Sequence, residues 1–199
     1  MNSTQMTVRS NGEGVSEAVK ATEKIGLDAG LGKKEALRLQ LLAEELLGMM
    51  QNIAGEVEGE YKVEQEDKSY RIILDSRIDM TKEMRKTLIS VSSKGENEAA
   101  KSFMGKLRDM IQVALLPSEN GPSALSMGLM SMGSPSTYNS SENLDWSMVE
   151  YVNGVKSSQG ADAEAAWDEL EKSITASIAD DISIRIKGTR VVITVMKTF

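Results

Sequence analysis

The stretch Lys33-Lys34-Glu35-Ala36-Leu37-Arg38-Leu39-Gln40-Leu41-Leu42-Ala43-Glu44-Glu45-Leu46-Leu47-Gly48-Met49-Met50-Gln51-Asn52-Ile53-Ala54 decides how the rest of the chain is read. Its apolar residues fall too densely for one narrow stripe. That predicts a helix covered on several sides and central to the fold. Inside it two adjacent acids, Glu44 and Glu45, are flanked by leucines, the oddest local chemistry in the sequence.

On its N-terminal side, Gly30 and Gly32 mark a stop and a connector. Before them Val15 to Asp28 has near-helical apolar spacing, and Thr4 to Arg9 alternates as a short strand. On its C-terminal side, Gly59 to Gln65 and Ser69 to Asp75 read as two strands joined by Glu66-Asp67-Lys68. Helices are predicted over Thr81 to Ile89 and Glu96 to Leu116, and again over Ala161 to Ala179. In the last of these Ala165, Trp167, Leu170, Ile174 and Ile178 form the apolar face. Periodicity leaves Asp145 to Val155 undecided between helix and strand. The chain ends in a hairpin, with Ile182, Ile184 and Ile186 alternating, a turn at Lys187-Gly188-Thr189, and Val191, Ile193 and Val195 alternating back.

This order predicts a single α+β domain over residues 1–199, a two-layer sandwich of a mixed, mainly antiparallel sheet with helices on one face. Between Pro117 and Asn143 the composition turns to Ser, Gly, Pro, Asn and Met, which predicts a flexible inserted loop or a lid. Its methionines suit an adaptable docking surface better than Cu(I), since no other soft ligand accompanies them.

Composition removes several chemistries. The chain has no cysteine and no histidine, so disulfides, zinc–thiolate sites, a cysteine nucleophile and the commonest general base are excluded. A net charge of −7 argues against a nucleic-acid partner. No apolar run approaches the roughly 20 residues needed to span a bilayer, and the N-terminus does not read as a signal peptide. A cytoplasmic location is the expectation.

The layout resembles the ATP-binding domain of the superfamily containing gyrase, histidine kinases and MutL, and most closely that of bacterial anti-sigma factor serine kinases. The resemblance rests on Met6-Thr7-Val8, the helix from Arg38 to Met50, and the closing hairpin around Lys187-Gly188-Thr189-Arg190-Val191. It implies a histidine-kinase-type ATPase fold. Within it Glu45 would be the catalytic glutamate, Asp75 the adenine contact, and Gly95 or Gly105 part of a phosphate-binding lid, with Lys94, Lys101 and Lys106 nearby. The departures are as specific as the matches. Met49 stands where that family has a magnesium-ligating asparagine, and Ser76-Arg77-Ile78 follows Asp75 where it has glycines. A thioether is a poor ligand for a hard cation.

The chain therefore reads as a degenerate relative, a regulatory protein-binding module with no cofactor expected, ATP and Mg²⁺ being the cofactors the resemblance would otherwise bring. A protein partner is expected, and a homodimer stays open. Two other readings also stay open: an active serine kinase or ATPase using Glu45 and Asp75, and an unrelated α+β interaction protein. The plain alternatives at single residues are a solvated or paired role for Glu44 and Glu45, a turn role for Asp75, and core or loop-anchoring roles for Trp146 and Trp167.

Overall fold

The computed structural model describes residues 2–53, 55–79, 81, 102–115 and 143–199. Six strands and six helices occur among them. In chain order they are β1 (Asn2–Arg9), α1 (Val15–Asp28), α2 (Lys33–Gln51), β2 (Glu58–Glu66), β3 (Ser69–Arg77), α3 (Phe103–Ala114), β4 (Asn143–Ser147), α4 (Met148–Ser157), α5 (Ala161–Lys172), α6 (Ile174–Ile178), β5 (Asp181–Lys187) and β6 (Arg190–Thr198). The predicted α+β class holds.

Strand alternation creates the two layers. On β3, Tyr70, Ile72, Leu74 and Ser76 are buried, and on β6 so are Val191, Ile193 and Val195. Register sets Leu74 beside Ile193 and Ile72 beside Val195. It continues outward to Tyr61 and Val63 on β2 and to Ile182, Ile184 and Ile186 on β5. One dry face results, and α2 lies in the same apolar cluster through Leu39, Leu42, Leu46, Leu47 and Met50. The strand order is β1-β2-β3-β6-β5-β4, and every described pairing is antiparallel, where a mixed sheet was expected. Both central hairpins close through two-residue turns, Asp67-Lys68 and Gly188-Thr189, which join neighbours and so impose the antiparallel sense.

Local chemistry sets the ends of the elements. Gly14 precedes α1 at φ 77°, and a Cβ there would meet the Thr7 carbonyl oxygen at 2.3 Å, so only glycine fits. Ser147 ends β4 and caps α4, its hydroxyl accepting from the Glu150 amide, so the undecided stretch is a strand followed by a helix. The helix expected over Ala161 to Ala179 divides at Ser173, whose backbone is extended and whose hydroxyl accepts from the Ala176 amide. The apolar face expected there is also not buried as a unit. Leu170 is in the core, while Trp167 is 37% and Ile174 57% exposed. The predicted helix over Thr81 to Ile89 lies outside the described residues except for Thr81. So does the loop from Pro117, except that Asn143 opens β4.

One polar group is fully enclosed beneath α1. The Thr22 hydroxyl donates to the Ala18 carbonyl at 2.8 Å and lies 2.6 Å from the Tyr61 hydroxyl. With its own proton committed to Ala18, Thr22 is placed to accept from the phenol. Burial pushes the Tyr61 phenol above its ordinary pKa. The neutral phenol is thus the folded form, so its contribution is present below the ordinary tyrosine pKa of about 10 and is lost as pH rises through the raised value. Tyr61→Phe should cost about 1 kcal/mol at neutral pH in urea unfolding, as a neutral buried hydrogen bond does. The variant should also lose less stability than the parent above about pH 10.

Candidate functional site

The residues that the sequence singles out divide between the two faces of the sheet. Glu45 lies on α2, on the helical face, and lines a cleft of about 500 Å³. The other walls are the start of α3 (Ser102 to Lys106) and residues of α5 and α6, among them Asp168, Glu169 and Lys172. Gly105 is close by, in the first turn of α3, so the structure brings Glu45 and the Gly105 segment together. Gly95, Lys94 and Lys101 lie outside the described residues.

Both ammonium groups of this cleft are already engaged by carboxylates. Lys106 on α3 pairs with Glu169 on α5, and Lys172 pairs with Asp168 at 2.6 Å. Counting Glu45, Asp168 and Glu169 against Lys106 and Lys172 gives three carboxylates to two ammonium groups, a net charge of −1. The amide of Gly105 donates to the Ser102 hydroxyl at 3.1 Å, so the cap already uses it. Glu44 is exposed and accepts from the Gln40 amide at 2.8 Å rather than from a cation. Glu45 is half-buried, with no hydrogen bond or ion pair among the described residues.

Met49 follows Glu45 by one helical turn and is 5% exposed, packed in the core cluster. A hard divalent ion would need an oxygen ligand there. Among the described residues no group of three or more carboxylates stands together to hold a metal ion. On this chemistry the residues around Glu45 do not fit a magnesium-bound triphosphate.

Asp75 is elsewhere. It sits on the sheet face turned away from the helices, since its neighbours Leu74 and Ser76 take the buried side. There the Arg190 guanidinium donates to both its carboxylate oxygens, at 3.0 and 2.5 Å, a two-pronged grip from β6. The hydrogen bond and the charge of Asp75 raise the pKa of the Arg190 guanidinium above its ordinary value. Asp75 is therefore committed to a cross-strand ion pair and is not turned toward Glu45.

Sequence reasoning missed Glu169, Asp168 and Lys172, which read as ordinary charges on an amphipathic helix. Only the packing of α5 beside α3 reveals them as the cleft wall. Trp146 is buried as expected, its ring 6.3 Å from Phe103 and 6.0 Å from Tyr151, joining β4 to α3 and α4. Trp167 is on the surface, where its indole N–H donates to Glu171 and the Lys156 ammonium lies 5.6 Å from the ring centroid.

No protein-family model and no curated protein matches the chain. No helix among the described residues is long and apolar enough to cross a membrane.

The Lys106–Glu169 pair can be weighed by a double-mutant cycle. One oxygen of Glu169 is buried with no partner among the described residues, so the ammonium carries much of this carboxylate's compensation. Lys106→Met should destabilise by about 1–2 kcal/mol in urea unfolding, a figure already discounted for the partial exposure of the lysine. Adding Glu169→Leu should restore most of that loss, because the stranded charge is then removed.

Proposed function

We propose that this chain is a regulatory protein-binding module, derived from the anti-sigma kinase type of ATPase domain, in which partner recognition has replaced phosphoryl transfer. One observation carries the reading: Glu45 and Asp75, which the resemblance would place around one nucleotide, face opposite sides of the sheet. Three features lend further support. Met49 is packed in the core, the Glu45 cleft is net negative, and the Gly105 amide is taken by its own helix cap. A triphosphate needs surplus positive charge and free amide donors, and magnesium needs oxygen ligands.

Loss of catalysis leaves a protein with an ordered core and a surface to offer. Its net charge of −7 disfavours nucleic acid as the partner, so protein recognition is the role the remaining features serve best.

Calorimetric titration with ATP and with ADP, each with and without Mg²⁺, tests the reading. The expected outcome is no heat of binding at millimolar nucleotide, and Met49→Asn alone should not restore it. Magnesium-dependent binding at micromolar nucleotide, abolished by Glu45→Gln, would establish an active site and overturn the proposal.

A further inference from the structure

The open face of the sheet is laced by cross-strand pairs of opposite charge. Arg9 on β1 meets Glu58 on β2 at 2.7 Å, and Arg71 on β3 meets Glu64 on β2 at 2.8 Å. One end of the face breaks this pattern. Register sets Arg77 of β3 directly beside Arg190 of β6, and Arg190 directly beside Lys187 of β5. Arg185 follows one rung along, beside Val192. All four side chains are on exposed residues.

Like charges directly opposite one another in an antiparallel pair are destabilising. The carboxylates nearby offset only part of the strip: Glu58 of β2 stands directly beside Arg77 in register and is paired with Arg9. Asp75 is held by Arg190, and Asp145 reaches Arg185 at 3.6 Å with both side chains largely exposed. Arg77 and Lys187 have no ion pair among the described residues. Stability does not account for three adjacent cations on neighbouring strands β3, β6 and β5 of an otherwise acidic protein.

We infer that Arg77, Arg190, Lys187 and Arg185 form a docking strip for an acidic segment of a protein partner. Charge complementarity selects the occupant. Strands lie about 4.8 Å apart, so the three cations of one rung span about 10 Å, the reach of three or four residues of extended chain. The strip is preorganised, because it stands on paired strands and because the Ile78 amide donates to the Thr189 carbonyl, tying the end of β3 to the turn. An occupant from within the chain is not supplied by its sequence. Residues 82–101 hold five cations against three carboxylates, and residues 116–142 hold only Glu119 and Glu142. Nucleic acid is disfavoured by the charge of the whole molecule. The inference names the kind of partner for the protein-binding role above and rests on that reading.

The test is fluorescence anisotropy of a labelled glutamate-rich peptide of about eight residues, long enough to cross the rung, with the full chain at low and at physiological salt. Binding should occur, weaken as salt rises, and fall at least about ten-fold in Arg77→Gln/Lys187→Gln, which removes two exposed charges. The equally neutralising Lys33→Gln/Lys34→Gln on α2 should leave it unchanged. Thermal unfolding guards the comparison: Arg77→Gln/Lys187→Gln should melt no lower than the parent, since it relieves repulsion, and a lower melting point would mean a structural role. A phosphoserine peptide bound more tightly, with the same sensitivity to Arg77 and Lys187, supports the strip and names phosphate as the preferred anion.

Three results with added peptide or oligonucleotide overturn the inference. They are no peptide binding at low salt, binding indifferent to Arg77→Gln/Lys187→Gln, and tighter binding of a single-stranded oligonucleotide than of either peptide. Self-association lost in Arg77→Gln/Lys187→Gln would also overturn it, by showing a second copy as the occupant. Peptide failure alongside silent nucleotide titrations removes the strip alone, whereas nucleotide binding removes the protein-binding reading on which it rests.

Discussion

Tyr70, Ile72 and Leu74 on β3 and Val191, Ile193 and Val195 on β6 turn to one side of the sheet, and α2 lies across the surface they make. Because side chains alternate along a strand, that choice also fixes the opposite set. Arg71, Ile73, Asp75 and Arg77 of β3 must face outward, as must Arg190, Val192 and Thr194 of β6. A slip of one residue would expose six large apolar side chains and bury four charged ones, so the register admits no such alternative. The ion pair of Asp75 with Arg190, the removal of Asp75 from the helical face and the rung of adjacent cations all follow from this constraint.

Much of that was legible in the sequence. Strict alternation at Tyr70-Ile72-Leu74 and at Ile182-Ile184-Ile186 locates strands without reference to anything distant. The density of leucines from Ala36 to Met50 marks α2 as a core helix, but its buried residues keep to one face and Leu37 is 52% exposed, so the expected cover on several sides is not found. What failed to show were features set by tertiary contact. Nothing local distinguishes the outward Trp167 and Ile174 from core residues, since their spacing fits a buried face. The break at Ser173 depends on a serine choosing to cap a new turn, a choice that serines in helices do not always make.

The candidate site was legible in its parts and not in its assembly. Glu45 and the Gly105 segment do meet, on the cleft between α2 and α3. The partner of Asp75, 115 residues away in sequence, could not be read from spacing, because antiparallel pairing of β3 with β6 brings Arg190 across. The same holds for Lys106 and Glu169, joined by helix packing rather than by motif. Charges acquire meaning only once their neighbours are known, and this chain has many charges and no histidine or cysteine to narrow the choice.

The two faces therefore carry different work. The helical side holds the fold together and keeps Met49 in dry surroundings. The open side presents charge on a rigid lattice. Peptide-mapped oxidation by dilute peroxide tests this division directly, since sulfoxide formation follows exposure. Met196, 40% exposed on the open face, and Met49, 5% exposed on the core side of α2, serve as internal references for one another. Met196 should oxidise at least about ten-fold faster than Met49 in the native protein, and the difference should vanish in denaturant. Oxidation of Met49 at the rate of Met196 would place it in a water-filled site beside Glu45 and contradict the account.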